Sequence, residues 1–413
     1  MAISTASSWP KVELSEHVDL LTGFPFKSSQ YTDGTDDVRL LRGDNVGQGS
    51  LRWNGVKRWR QSDFDRFAEF QLKLDDVILA MDRPWITAGL KYAWVTKRDL
   101  PALLVQRVAR MRGSNGLLTN YLRYVIGSRG FIDHVISITT GINVPHISAR
   151  DIKAYRFRLP PFHAQRRIAS ILSAYDDLIE NNARRIAILE EMAQRVFDEW
   201  FVLRKLPRAT MAQFGRMTGQ EMPFSAVADF VNGYAFKPTD WGQEGIPIIK
   251  IKELKEGVTP QTPRYTGMLP SKYAVADGDL LFSWSADLDA YLWAGGSGWL
   301  NQHLFKVVPH PPLTKTILFF WLKHAMHEFR ARAAGTTMRH IKRSALDQVM
   351  LVVPPDSLIT EFDRTVSPML DEVRVLQTSN RALTYARDLL LPKLISGEID
   401  VSAVDTPKEM EVA

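Results

Sequence analysis

Side chains able to grip a phosphate or read a base edge occur twice in this chain, in the same order. Lys27 follows a glycine turn in "LLTGFPFK", and Lys237 follows one in "FVNGYAFK". Arg42 closes an apolar run, as Lys250 and Lys252 close its counterpart. Arg83, Trp85 and Lys91 follow "VILAM", and Trp284 and Ser285 follow "DLLF". "TTGINVPHIS" offers Thr140, Asn143 and His146; "AGTTMRHIK" offers Thr336, Thr337, Arg339 and His340. Guanidinium and ammonium groups suit phosphate and guanine, whereas amides and hydroxyls suit base edges. A surface cation taken singly is usually just solvated. The recurrence of the whole set in order points to nucleic acid.

Catalytic patterns are missing. The chain has no G-x-x-x-x-G-K-[ST] phosphate loop, no G-x-G-x-x-G after a strand and no H-E-x-x-H; His327-Glu328 stands alone. "LPPF" at 159–162 carries Leu159 where an adenine methyltransferase motif needs an amide. Glu253 and Lys255, with Asp240 upstream, faintly resemble a nuclease carboxylate set, a pattern that chance often produces. The pairs Asp75-Asp76 and Asp176-Asp177 read as solvated, one at a turn and one on a helix surface. With no cysteine, disulfides, thiolate metal sites and a Cys nucleophile are excluded. The nine histidines show no ligand spacing, so the expectation is no catalytic residue, no metal and no cofactor held by this chain.

The elements that position the basic loops also come in pairs. "LPPFHAQRRIASILSAYDDLIENNARRIAILEEMAQRVFDEWFV" (159–202) has two apolar heptad columns. One is Leu172, Ile179, Ile186, Ala193 and Trp200; the other is Ile168, Tyr175, Asn182, Leu189 and Val196. With no internal Pro or Gly, this predicts a coiled-coil helix of about 37 residues, roughly 55 Å long, entered through Pro160-Pro161. The pattern returns after Pro354-Pro355. Its columns are Val366, Val373, Asn380, Arg387 and Leu394, and Phe362, Met369, Leu376, Leu383 and Leu390. Arg387 is the one position there neither apolar nor Asn. Pro368 and Pro392 predict a kink, or a start near Pro368, and an end near Pro392 and Gly397. Asn182 and Asn380 are candidate register-fixing residues.

The duplication runs through the globular parts. Gly23, Phe26 and Lys27 match Gly233, Phe236 and Lys237. "VRLLRGDNV" resembles "IPIIKIKEL", and "LDDVILAM" resembles "DGDLLFSW". "GINVPHISARDIKAYRFRLPP" matches "GTTMRHIKRSALDQVMLVVPP" in its Gly, His-Ile and Pro-Pro. A period of about 200 residues is a tandem duplication, not a solenoid. Each unit reads as α+β. "TILFFWLKHAMHEFRARA" (316–333) predicts an amphipathic helix, and 119–137 is its looser counterpart. The boundaries are 1–158, first globular unit; 159–203, first long helix; 204–222, basic linker; 223–353, second unit; 354–400, second long helix; 401–413, a polar tail expected to fray.

The 413 residues suffice for two or three cores. A net charge of +6 and a pI of about 9.3 favour a polyanionic partner. No run approaches the ~18 apolar residues of a membrane span, and the first residues lack a signal-peptide core, so a cytoplasmic protein is expected.

With these residues in view, the chain resembles the DNA specificity subunit of Type I restriction–modification systems. The resemblance rests on "LPPFHAQRRIASIL" with Gln165; on Leu390, Leu391, Leu394, Gly397, Glu398 and Ile399 at the second helix end; and on the Gly335, Thr336, Thr337, His340, Ile341 loop with its counterpart at Thr140, Gly141, Asn143, His146 and Ile147. The second copy departs, since "VPPDSLITEF" has no Gln at the matching place. The resemblance implies an α+β fold of two tandem target-recognition domains whose long helices pack as an antiparallel coiled coil with pseudo-twofold symmetry. It implies a non-catalytic subunit that reads a bipartite sequence in double-stranded DNA. The coil would set a gap of at most roughly 16 base pairs, nearer one turn once the domains fold back. Two methyltransferase subunits carrying S-adenosylmethionine are implied as partners, with restriction subunits driven by ATP and Mg completing the complex. The rival reading is a coiled-coil protein adaptor without DNA specificity.

Overall fold

The computed structural model describes residues 9–139, 145–206, 219–333 and 340–401. The chain divides into two compact units, one of residues 1–177 and 383–413, the other of residues 178–382. The division falls inside the long helices, so each unit owns the beginning of one and the end of the other.

Each unit is built on a four-stranded antiparallel sheet of the same order. In the first the strands run Val18–Thr22, Val108–Gly113, Val77–Ala80, Tyr92–Trp94; in the second Ala228–Asn232, Leu304–Pro309, Leu280–Ser283, Asp289–Leu292. The Val77–Ala80 strand is apolar throughout and buried at all four positions. Its alternate residues serve different cores: Val77 and Leu79 face one cluster, Ile78 and Ala80 another. The second unit does the same, with Leu280 and Phe282 on one side and Leu281 on the other. A smaller sheet carries a parallel pair in each unit, Val38–Leu41 with Ala102–Leu104 and Ile246–Ile249 with Gly298–Leu300. The ends of each unit are tied by Lys11–Glu13 against Arg156–Arg158, and by Gln220–Pro223 against Met350–Val353. The strand Gln220–Pro223 begins inside the expected linker.

The repeat is kept at single hydrogen bonds. The Gly23 N–H donates to Val108 O (3.1 Å), Phe24 to Leu104 O (3.0 Å), Val105 to Leu41 O (3.1 Å) and Gln106 to Phe24 O (2.9 Å). In the second unit Gly233 donates to Leu304 O (3.1 Å), Tyr234 to Leu300 O (2.8 Å), Asn301 to Ile249 O (3.1 Å) and Gln302 to Tyr234 O (3.0 Å). The two glycines are required by backbone approach. A Cβ on Gly23 would lie 2.2 Å from Val105 C, and one on Gly233 2.1 Å from Asn301 O.

The expected single helix over 316–333 is two, Lys315–His324 and Met326–Ala331, as its counterpart is Thr119–Ile126 and Arg129–Ile138. The break in the first unit falls at Gly127, where Ser128 caps the next helix through the Phe131 N–H.

The first long helix runs Phe162–Phe197, followed by one π-helical turn, Asp198–Val202. The second runs Asp356–Ser396 without interruption. It therefore starts immediately after Pro354-Pro355, not near Pro368, and passes Pro392 before ending at left-handed Gly397 (φ +73°). Both prolines sit on the solvent side. There the carbonyl each frees can be hydrated, while Val366 and Met369 below the first, and Leu390 and Leu394 beside the second, are held in the cores.

No seam position is exposed. Ile168, Leu172, Asn182, Phe362, Val366, Val373 and Leu376 are buried; Tyr175, Ile179, Ile186, Leu189, Val196, Met369, Asn380, Leu383 and Leu390 are half-buried. The helix ends run antiparallel within each unit. In the second unit the Asn182 amide donates to Asn380 Oδ1 (2.9 Å) and Arg185 pairs with Glu372 (2.7 Å). In the first, Arg387 pairs with Asp176 (2.8 Å), which accounts for the charged residue in that seam. Asp176 is therefore not solvated. It also accepts the Tyr124 hydroxyl (2.8 Å) and lies 3.6 Å from Arg123. Burial works against the Arg387 charge, but hydrogen bonds to Asp176 and the Asp388 carboxylate raise its pKa above the usual arginine value. Asp76 is likewise buried, held by Arg112 (2.9 Å), while its neighbour Asp75 takes a left-handed turn (φ +65°).

Gln165 is fully buried. Its Oε1 accepts the Leu118 N–H (2.9 Å), and its Nε2 donates to Gly116 O (2.7 Å) and Pro160 O (2.8 Å). The residue locks the helix start onto its own unit and presents nothing to a partner. The corresponding turn of the second unit has Leu358 and Ile359 packed in its core.

Candidate nucleic-acid interface

Most of the basic residues singled out above stand just beyond the buried elements that hold them. Phe26 and Phe236 are buried among aromatic rings, with Phe26 4.8 Å from Trp59 and Phe236 5.5 Å from Tyr265. Lys27 and Lys237, one residue on, are exposed, and the Lys237 N–H is capped by Asp240 (2.7 Å). The Arg42 N–H is capped by Asn45 Oδ1 (3.0 Å), and the Lys250 N–H by buried Glu253 (3.1 Å). Asp240 and Glu253 thus close turns, which removes the resemblance to a nuclease carboxylate set. No group of three or more His, Asp or Glu among the described residues is placed to hold a metal ion.

The two sheet strands Val77–Ala80 and Leu280–Ser283 end in equivalent geometry. The Ile147 N–H donates to Met81 O (3.0 Å), and the Ile341 N–H donates to Trp284 O (3.0 Å). His146 bridges to Asp82, and His340 to Ser285, leaving both histidines on the surface. The next residue is left-handed in each, Arg83 at φ +46° and Ala286 at φ +59°. A left-handed Arg or Ala is strained by roughly 1 kcal/mol, so the same bend is enforced twice. Thr140, Asn143, Thr336, Thr337 and Arg339 lie outside the described residues.

Beyond this bend the units part. In the first, Lys91 stands in the fields of Asp44, Arg83, Arg52 and Asp82. Burial pushes its ammonium below the usual lysine range, Arg83 and Arg52 add to that, and the two carboxylates oppose it. Arg42 pairs with Asp44 (3.4 Å) and Arg107 with Asp82 (3.8 Å). Arg52 donates to Gln48 (3.0 Å). Arg83 and Lys91 make no ion pair with any described carboxylate. The structure therefore gathers Arg42, Arg83 and Lys91, and adds Arg52 and Arg107, which no local pattern marks because they come from other loops. Five cations face two carboxylates, a local field suited to phosphate. Trp85 is 38% exposed on the adjoining hairpin.

The second unit pairs two of its loop lysines with carboxylates. Lys250 lies over the Trp241 ring (5.2 Å), Lys252 pairs with Glu256 (3.6 Å) and Lys255 pairs with Asp287. Trp284 is half-buried, tilted on Phe305 (5.8 Å), with its indole N–H on Gln302 O (3.1 Å). Ser285 is buried against His303 Nδ1 (3.1 Å), so it supports the bend and does not face outward. A cavity of about 730 Å³, lined by Tyr291, Phe319, Lys323, Glu190 and Arg374, lies in this unit. Its cations too are matched, Lys323 by Asp289 (2.7 Å) and Arg374 by Asp371 (3.0 Å).

The long helices carry apolar side chains outside the seam. Leu178, Ile188, Met192 and Val375 in the second unit, and Tyr385 and Leu389 in the first, are each about half exposed. No helix among the described residues is long and apolar enough to cross a membrane.

The family model described as a Type I restriction modification DNA specificity domain matches residues 7–191 and again 220–359. The Type I restriction enzyme EcoAI specificity subunit of Escherichia coli is 35% identical over 175 residues, 42% of this chain and 28% of that protein. The MjaIX specificity subunit of Methanocaldococcus jannaschii is 23% identical over 333 residues, 76% of this chain and 77% of its own. The chain thus spans 28% of the first relative's length and 77% of the second's. The S subunit of the Type-I restriction-modification system from M. genitalium, in its crystal structure, aligns over 94% of this chain and 96% of its own. The TM-score is 0.59 at 14% identity, a likeness of fold.

Proposed function

We propose that this chain, which belongs to the Type I restriction modification DNA specificity family, is the address-giving subunit of a restriction–modification complex. Each unit reads one half of a two-part sequence in duplex DNA, and the paired helices set the gap between the halves. The observation that carries this reading is the repeated frame. Two units share sheet order, glycine contact and left-handed strand end, yet present different side chains beyond that bend. That is what two readers of different half-sites require. The partly paired loop cations of the second unit suit fewer phosphates and more contact with base edges; the excess in the first suits a phosphate grip.

The chain supplies position and its partners the chemistry. Two methyltransferase subunits dock against the exposed apolar residues of the helix pair, bring S-adenosylmethionine and flip a target adenine from the stack. Restriction subunits using ATP and Mg act on the same assembly, in the cytoplasm.

The test is methylation mapping by single-molecule sequencing in cells expressing this chain with its neighbouring methyltransferase subunit. Modified adenines in a two-part motif with a fixed gap are expected. Exchanging residues 12–158 for those of another family member should change one half only. An active partner that leaves no such motif would overturn the reading in favour of a protein adaptor, which would bind DNA weakly and without salt dependence.

A further inference from the structure

After the shared bend the first unit makes an excursion that the second omits. Trp85–Ile86 pairs antiparallel with Gly89–Leu90 before the chain returns as Tyr92–Trp94. In the second unit the chain passes from Ser283 to Asp289 with no strand between. The hairpin is anchored below. Pro84 and Leu90 are buried, the Lys91 N–H donates to Pro84 O (2.7 Å), and the Arg83 N–H donates to Pro145 O (2.6 Å). Its tip is open to solvent on one side. Ile86 is 37% exposed, and Thr87 and Ala88 are exposed with it. A braced ribbon that turns methyl groups to solvent beside cations offers an apolar surface to a partner.

We propose that this hairpin is the apolar reading element of the first half-site. It enters the major groove and sets Ile86, Thr87 and Ala88 against thymine C5-methyl groups. The inference rests on the DNA-specificity reading above and adds the chemical group that is read. A two-stranded ribbon fits a groove about 12 Å wide. Apart from the Thr87 hydroxyl, the tip has no group with which to read donors and acceptors. The apolar group that an intact duplex displays in that groove is the thymine methyl. Arg83 and Lys91 at the base of the ribbon stand where phosphates flanking the groove would pass. The second unit, with no such ribbon, reads its half-site without this sense.

The experiment starts from the motif mapped in cells. If no two-part motif appears, the functional reading fails and this one with it. With a motif in hand, the complex of this chain and its methyltransferase subunits is titrated with duplexes in which deoxyuridine replaces thymidine, one position at a time. One substitution in the first half-site should weaken binding about fourfold, the scale of one buried methyl group. Ile86→Ser should weaken binding to the thymidine duplex by a similar factor, lose sensitivity to that deoxyuridine, and leave the second half-site unaffected. A first half-site without any A·T pair would overturn the proposal while leaving the functional reading standing. So would an Ile86→Ser complex that discriminates deoxyuridine as the wild type does. Indifference to deoxyuridine with a rise in 2-aminopurine fluorescence beside the hairpin would replace methyl contact by wedging between bases.

Discussion

The two strand ends, Met81-Asp82-Arg83 and Trp284-Ser285-Ala286, are the same structure with different surfaces. Each receives an N–H from the residue after a histidine, and each is followed by a left-handed bend. One then projects an anchored ribbon beside Arg83 and Lys91, in a cluster with more cations than carboxylates. The other turns straight back, with its tryptophan folded onto Phe305 and its serine buried. Duplication has held fixed what the backbone must satisfy and released what it need not. The same contrast recurs at the helix pair. The first unit fills the contact with Asp176, Arg387, Arg123 and Tyr124; the second has Leu370, Ala193, Phe319 and Phe320 in corresponding places. Two stable answers to one packing problem coexist in a single chain.

The strongest way to break the equivalence is at the glycines. Gly23→Val and Gly233→Val each drive a Cβ into backbone that cannot withdraw without losing ladder hydrogen bonds. Each should destabilise its own unit by more than about 4 kcal/mol. Hydrogen exchange of the two sheets read separately checks this; tolerance of one but not the other would show that the frames are not equivalent. Next comes the buried charge. Asp176→Leu strands Arg123, leaves Arg387 with Asp388 alone, and should cost about 3 kcal/mol in urea unfolding. Adding Arg387→Ala and Arg123→Phe, which copies the second unit, should recover most of that loss; no recovery would mean that the two answers depend on their own surroundings. The tryptophans sharpen the comparison. Trp284→Ala should cost about 2 kcal/mol, below the full-burial figure because the ring is only half-buried. Trp85→Ala should change stability by under about 0.5 kcal/mol while weakening DNA binding. The last effect concerns the seam amides. Asn182→Leu leaves Asn380 short of a partner, about 1 kcal/mol, and should disturb motif spacing or assembly more than base preference. Altered preference with intact spacing would count against the coil as a ruler.

Much of this was legible in the residues because it rests on periodicity and on backbone necessity. Heptad columns marked the seam, and a glycine before an aromatic-x-aromatic-Lys run marked the repeat. What escaped was set by distant partners. Pro368 passes inside a helix because it faces solvent over an anchored seam, which a proline alone does not reveal. Asp176 reads as a surface carboxylate until Arg387, far along the chain, is brought beside it. Gln165 stood out only as a motif residue and is a lock on its own loop. Arg52 and Arg107 join Lys91 only through the folding of three separate loops.

The division of the chain inside its long helices has a consequence for how the protein is made. The first unit is discontinuous: its core includes Leu390, Leu394 and Val401, which leave the ribosome after all of residues 178–382. At about 5–20 residues per second, that intervening stretch takes on the order of 10–40 s to synthesise. During that interval the first unit lacks the apolar strip that closes it, while the second is being completed from one unbroken stretch. The unit begun first is finished last, so the early half of the nascent chain waits with an open core, and a truncation before Leu390 would strand it there.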